Sequence, residues 1–410
     1  MTGEGASASR TLTRLGSYEL VRPLARGGMA DIYLARRQGP GEFERHVAVK
    51  VLNRTRSTDA EACNMFLDEA RLVGLLNHQN IANVIDVDVD VDGHHYLAME
   101  YVHGADLREL LAAASLAGRA IPYETAIAIL IGAAAGLDHA HHRCGTDGQP
   151  LRLVHRDVSL SNLMVTHDGA VKVVDFGIAS TTIATVHTSP GIVRGKASYM
   201  SPEQCLGDRV DHRTDVFALG IVLYELTTGA RCFTGRTDFD RMLAIVRGDY
   251  RSPSDLVPEF PLDLEQVIRC ALSSDATQRY PSAAALIEAL ERVLTGHGWI
   301  GGAAAITSVM AQLFGDVPEP WTMTAAEPLV TERQLPVIVQ GPTMRSSPRL
   351  ASPRLARGTE SDVPSRLARG SEPDLLRTGW APSPRADEDD EPTRGRCSLR
   401  RAPRTSRFAA

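Results

Sequence analysis

VHRDVSLSNLMV, residues 154–165, holds a carboxylate, Asp157, and a carboxamide, Asn162, five positions apart between short apolar runs. The first can accept a proton from a hydroxyl; the second offers a neutral oxygen to a hard cation. VKVVDFG (171–177) adds a second carboxylate, Asp175, followed by a Phe-Gly that can pivot. Upstream, HVAVKVL (46–52) alternates β-branched residues with Ala48 and Lys50 and reads as a strand. FLDEARLVGLLNH (66–78) carries Phe66, Leu67, Ala70, Val73 and Leu76 at helical spacing, with Glu69 among them. LARGGMADIYLA (24–35) sits between two strand-like segments, where Gly27 and Gly28 are expected to expose amides that can cradle a phosphate. One lysine, two cation ligands and an oriented proton acceptor meet the needs of phosphoryl transfer, which are positioning and charge neutralisation.

The first part of the chain is strand-rich. YELVRPLARGGMADIYLARR reads as a hairpin, and IANVIDVDVDVDGHHYLAMEYV as a second one turning at Asp92-Gly93. After Gly104 helical patterns dominate, as in AIAILIGAAAGLDHAHH, DVFALGIVLYELTTG, DLEQVIRCAL and SAAALIEALERVL. Strands followed by helices imply an α+β chain of two lobes with a cleft between them. The expected organisation is a disordered lead-in over 1–17, a small β-rich N-lobe over 18–102 and a larger helical C-lobe over 103–293. One extra helix packed on the C-lobe is expected within 294–325, and a disordered Pro/Ser/Arg-rich tail over 326–410, with degenerate SPRLA repeats and an acidic run at 386–391.

Composition bounds the class. An apolar fraction of 43%, with 23% charged residues and a net charge of −6, fits a globular protein and points to neither nucleic acid nor an anionic membrane as partner. The six cysteines are scattered without a C-x-x-C pair, as suits a reducing compartment. No apolar run is long enough for a bilayer span, the strongest being 299–314, so a cytoplasmic location with no membrane span is expected. Of 44 basic residues only Lys50, Lys172 and Lys196 are lysines. A chain so biased to arginine keeps lysine where a compact charge does what a planar fork cannot.

The order ARGGMA, VAVK, helix Glu, HRDxxxxN, DFG, SPE resembles the signature set of protein kinases, over about residues 18–293. It is most similar to the bacterial eukaryotic-like Ser/Thr kinases, and so implies the bilobal protein-kinase fold. The resemblance makes Lys50 and Glu69 an ion pair, Asp157 the catalytic base, and Asn162 and Asp175 the ligands of Mg2+, with Mn2+ as a substitute. Leu24, Ala25, Arg26, Gly27, Gly28, Met29, Ala30 and Ile32 would cover ATP. Ala48, Met99, Glu100, Val102 and Met164 would line the adenine slot and hinge, and Asp106 would reach the ribose. Asp215 would brace the catalytic loop and Glu203 would clamp Arg279. Arg156 would answer to a phosphate on ASTTIATVHTSPGIVR (179–194), nearest Thr188 or Ser189. The substrates implied are proteins with Ser/Thr acceptors, this chain in trans among them, under regulation by activation-segment autophosphorylation.

Three features depart from the pattern. Ala25 and Ala30 stand where the first and third loop glycines are usual. Ser159 stands where the catalytic loop usually carries lysine, whereas the later motif opens Gly195-Lys196 in place of Gly-Thr. The two residue types have exchanged places, and Lys196 is expected to fill the space vacated at 159, with the Ser159 hydroxyl standing in for the threonine. A pseudokinase serving as an ATP-binding or scaffold module is the alternative, and a small-molecule phosphotransferase a third reading. The complete set Lys50, Glu69, Asp157, Asn162 and Asp175 favours the active kinase, as Arg156 and the Glu203–Arg279 clamp disfavour the third. DVDVDVDG (86–93) imitates a calcium loop but has Met99 at the twelfth position, so it reads as a half-exposed strand. The histidines 139, 141 and 142 lack further ligands for a metal site.

Overall fold

A computed structural model describes residues 13–27, 29–53, 59–176 and 196–322, apart from the side chains of Glu61 and Lys196. In chain order the strands are β1 (Arg14–Leu15), β2 (Tyr18–Arg26), β3 (Ala30–Gln38), β4 (Glu44–Leu52), β5 (Val84–Val89), β6 (His95–Glu100), β7 (Gly104–Asp106), β8 (Leu163–Thr166) and β9 (Val171–Val173). The helices are α1 (Ala60–Val73), α2 (Leu107–Leu116), α3 (Tyr123–His141), α4 (Pro202–Leu206), α5 (Arg213–Thr228), α6 (Asp238–Arg247), α7 (Pro253–Leu256), α8 (Leu262–Ala271), α9 (Ala283–His297) and α10 (Ala303–Phe314). All of them belong to a compact unit spanning residues 1–340; a second unit, 341–410, lies outside the described residues, as does the tail expected over 326–410.

The N-lobe is an antiparallel sheet in the order β1-β2-β3-β4-β6-β5. Its two faces follow from the period of two along β4. Val47, Val49 and Val51 pack on one face with Leu15, Tyr18, Tyr96 and Ala98, while Leu52 joins Phe66, Ala70 and Leu97 beneath α1 on the other. Ala48 and Lys50 share the α1 face. The expectation of disorder through residue 17 is corrected at its end: Leu15 is wholly buried, and Arg14–Leu15 pairs with Glu19 and Tyr18, because an apolar side chain there extends the outer core.

The C-lobe is built around α3 and α5, which are apolar on nearly every side and correspondingly buried. A second sheet, β7-β8-β9, lies at the junction of the lobes. Gly104 is required there, since a Cβ would stand 2.0 Å from the carbonyl oxygen of Val165. The loop after α1 reaches this sheet: Val173 N–H donates to Asn80 O (2.8 Å) and Ala82 N–H to Val173 O (3.0 Å). Helix starts are fixed locally, with capping boxes at Asp106, Ser201 and Thr237. Beyond α9 a break at Gly301-Gly302 precedes α10, which buries Ile306, Val309 and Met310 against the C-lobe. Among the described residues no helix is long and apolar enough to cross a membrane.

Candidate active site

Strand alternation points Lys50 from β4 toward Glu69 on α1, and the two meet at 3.1 Å. The Lys50 ammonium also donates to Asp175 at 3.1 Å, so two carboxylates from opposite lobes share one lysine. Burial opposes the Lys50 charge, but Asp175 and Glu69 outweigh it and hold the ammonium above the ordinary lysine pKa. Burial raises the Glu69 carboxyl, against the pull of Lys50. Asp175 sits at φ 52° and Arg156 at φ 64°, a left-handed conformation that costs a non-glycine residue energy and clusters at functional sites.

The loop over 154–162 is pinned by its apolar residues Val154, Val158 and Leu160, all buried. Asp215, buried on α5, accepts from the backbone N–H of both His155 and Arg156 at 2.9 Å and from His141 Nε2 at 2.7 Å. Burial works against its charge, yet His141 and His155 hold this carboxyl below the ordinary range. His155 Nδ1 accepts the Asp157 N–H (3.2 Å), so Nε2 carries the proton and donates to Val174 O (3.2 Å). Its ring lies 4.6 Å from that of Phe176. The Asn162 amide donates to Asp157 O (2.7 Å) and Asp157 Oδ2 (3.1 Å), which aims the Asn162 oxygen elsewhere, and Val174 N–H donates to Asn162 O (3.0 Å). The Ser159 hydroxyl joins Ser161 Oγ at 2.9 Å, which in turn donates to Asn162 Oδ1 at 3.3 Å.

The strands that would cover a nucleotide lie as the alternation requires. Ile32 pairs with Lys50 and with Ala25, Ala48 with Met99, and Met164 with both Asp106 and Lys172. Leu24 is half-buried on β2, and Val102 is buried just past β6. The Gly-rich turn differs from expectation. Gly27 N–H is not exposed for a phosphate but donates to Ala30 O at 3.1 Å, because β2 and β3 pair up to Arg26 and Asp31 and the turn closes on itself. Asn53 holds both ends of that turn, its amide donating to Gly27 O and its backbone N–H to Met29 O. Gly28 lies outside the described residues. Asp106 caps α2 with Oδ1 and takes Arg108 on Oδ2 at 2.6 Å, so its carboxylate is already shared.

Several partners were invisible to spacing alone. Lys172 pairs with Glu100 at 2.7 Å, and Glu100 also accepts the Asn83 N–H, which joins the hinge to β9. Arg279 forks onto Glu203 at 2.8 and 2.7 Å. From the same helix Gln204 donates to Arg156 O at 2.9 Å, and Ser201 bonds Thr214. Of the clustered histidines, His139 stacks on His78 and His142 pairs with Asp138. In the β5–β6 hairpin the Asp90 carboxylate accepts the N–H groups of Asp92 and His94, which holds the turn. Lys196 opens a 3-10 turn through Tyr199, but its side chain lies outside the described residues, as do Thr188 and Ser189.

Comparison with known proteins agrees with this geometry. A family model described as "Protein kinase domain" matches residues 18–290. The tyrosine-protein kinase MasK of Myxococcus xanthus is 40% identical over 301 residues, 73% of this chain and 46% of that protein. The serine/threonine-protein kinase PknB of Mycobacterium leprae is 36% identical over 284 residues, 68% of this chain and 43% of its own. PrkC of Bacillus subtilis, also a serine/threonine-protein kinase, is 34% identical over 268 residues, covering 65% and 39%. The chain thus spans less than half the length of these curated relatives. The crystal structure of the Mycobacterium tuberculosis PknI kinase domain superposes with a TM-score of 0.51 at 28% identity, over 68% of this chain and 96% of that one.

Proposed function

Since the chain belongs to the protein kinase domain family, we propose that it transfers the γ-phosphoryl group of ATP to Ser and Thr hydroxyls of proteins. The observation that carries this reading is the lysine shared by Glu69 and Asp175, set beside an Asp157 tied to Asn162. In this mechanism the acceptor oxygen bonds to the γ-phosphorus, the bond to the bridging oxygen of the departing ADP breaks, and Asp157 takes the hydroxyl proton. Lys50 holds the α- and β-phosphates, with Glu69 keeping it in place. Leu24, Ile32, Ala48, Met99, Val102 and Met164 receive the adenine, and the Glu100–Val102 backbone bonds its edge.

Protein kinases as a family use ATP with Mg2+, and the residues here fit that ion. Asp175 contributes a carboxylate, and the Asn162 amide nitrogen is turned onto Asp157, which leaves its oxygen, held by Ser161 Oγ, as the atom that would ligate the ion. Bound Mg2+ or Mn2+ would neutralise charge on the phosphates. Asp215 and Gln204 hold the backbone of Arg156 from two sides, which supports its reading as the receiver of an activation-segment phosphate. Lys196 is assigned to the space opened by Ser159 on the sequence exchange alone.

A tyrosine acceptor is the second reading. It is favoured by the name of the 40% identical relative and by Ser159 standing where a Ser/Thr-type loop carries lysine. Incubation with Mg2+-ATP and a general protein substrate, followed by mapping of each phosphorylated residue, separates the two. Phosphoserine and phosphothreonine are expected; phosphotyrosine alone would transfer the proposal to tyrosine, and transfer only to small molecules would end it.

A further inference from the structure

After α10 the chain does not stay on the C-lobe. Gly315, at φ 72°, ends the helix, and residues 315–322 run to the hinge. His103, just past the hinge, bonds Val317 O through Nε2 at 3.1 Å. Four residues on, the Trp321 indole lies flat on His46, with ring centres 4.4 Å apart and planes at 11°. The same indole meets the hinge residue Tyr101 edge-on, at 5.7 Å and 72°. Pro320, beside it, is buried.

His46 belongs to β4 and lies four residues before Lys50, on the same side of the strand. Tyr101 lies between Glu100 and Val102. One side chain from beyond the residues matched by the family model therefore touches the strand that carries Lys50 and the hinge at once. Its own segment is rooted in the C-lobe through Ile306, Val309 and Met310 of α10. Pro318 and Pro320 limit the conformations of the eight-residue span 315–322, so little freedom is lost when it is laid down.

We propose that residues 315–322 form a strap between the lobes, with Trp321 as a positioning residue that holds the hinge and β4 in the geometry that binds nucleotide. Trp321 touches no reacting group and acts through Tyr101 and His46. A hinge that samples open arrangements binds ligand more weakly in proportion to the competent fraction, and the strap raises that fraction. The inference rests on the reading of the cleft as an ATP site, but the strap itself is testable without nucleotide.

Two readouts on the full chain decide it. Trp321→Ala is expected to raise the dissociation constant and the KM for Mg2+-ATP roughly three- to ten-fold, the factor that ring contacts of ordinary strength convert to, with kcat changing less. Trp321→Phe keeps a ring on His46 and is expected to restore most of the affinity. Hydrogen exchange without nucleotide is expected to quicken at residues 46–50 and 99–103 in Trp321→Ala, while the amides of α5 keep their protection. Unchanged exchange at the hinge, or an ATP affinity that Trp321→Ala leaves intact, overturns the strap. Loss of α5 protection, or a Trp321→Phe variant as weak as alanine, would also overturn it, by showing a general packing role. Should the wild-type chain bind no nucleotide, the ATP reading fails and the exchange measurement alone judges the strap.

Discussion

Arg279→Ala is expected to be the most damaging single truncation outside the reacting groups. The Arg279 side chain is wholly buried, and each of its five N–H donors is used. Two go to the Glu203 carboxylate, and the others to the carbonyls of Ser273 (2.8 Å), Arg213 (3.2 Å) and Ser274 (3.3 Å). The guanidinium also lies 4.8 Å over the ring of Phe217 on α5. Removing it leaves a mostly buried carboxylate without its counter-charge and takes a donor from each of three carbonyls. Breaking one side of a buried pair costs about 3–5 kcal/mol. At about 2–4 °C per kcal/mol, the melting temperature should fall by roughly 6–20 °C. The assay is calorimetric unfolding of the full chain beside Arg279→Lys, which keeps the charge but cannot fork and should recover less than half of the loss. Because Gln204, next to Glu203 on α4, holds Arg156 O, turnover measured below the variant's melting temperature should fall as well. A shift under about 2 °C in Arg279→Ala would refute the reasoning, since no buried, fully bonded arginine is that dispensable.

Three further outcomes follow from the same geometry. Lys196→Ala should lose most turnover while ATP affinity changes little, and an unchanged kcat ends the exchange with Ser159. Lys172→Met removes the partner of Glu100 at the hinge and should lower the urea midpoint by an amount equivalent to about 1.5–3 kcal/mol, the usual worth of a hydrogen bond to a charged group; an unmoved midpoint contradicts this. Burial opposes the Glu203 charge, but Arg279 prevails and holds that carboxyl below its ordinary 4.5. Its contribution to stability is present above that pH and is lost as pH falls through the lower folded-state value. The deficit of Glu203→Gln in urea should therefore be full at pH 7 and shrink below about pH 4.5; a deficit constant with pH tells against the pairing.

The fold was legible because its strands and buried helices carry their periods openly. HVAVKVL announces both faces of β4, and the apolar run of α3 admits no exposed side. The candidate site was legible because Asp157, Asn162 and Asp175 sit at short, fixed spacings. What escaped were those long-range pairings on which spacing is silent and which the resemblance does not name. Glu100 and Lys172 are 72 residues apart, and His141 and Asp215 are 74 apart. Trp321 could not be tied to Tyr101 from composition, since it stands among prolines at the edge of a polar stretch. The Gly-rich turn misled for a local reason: glycine permits phosphate approach, but the same amide is free to close a hairpin, and at Gly27 it does.

The central claim is that this cleft transfers phosphate with Asp157 as the proton acceptor. It is tested most directly by mixing the full chain with γ-labelled ATP, Mg2+ and a protein substrate, beside Asp157→Asn. The account predicts label on protein with the wild-type chain and at least a hundred-fold less with Asp157→Asn, as expected when a positioned general base is lost. Equal labelling by the two chains, or none by either, would contradict it.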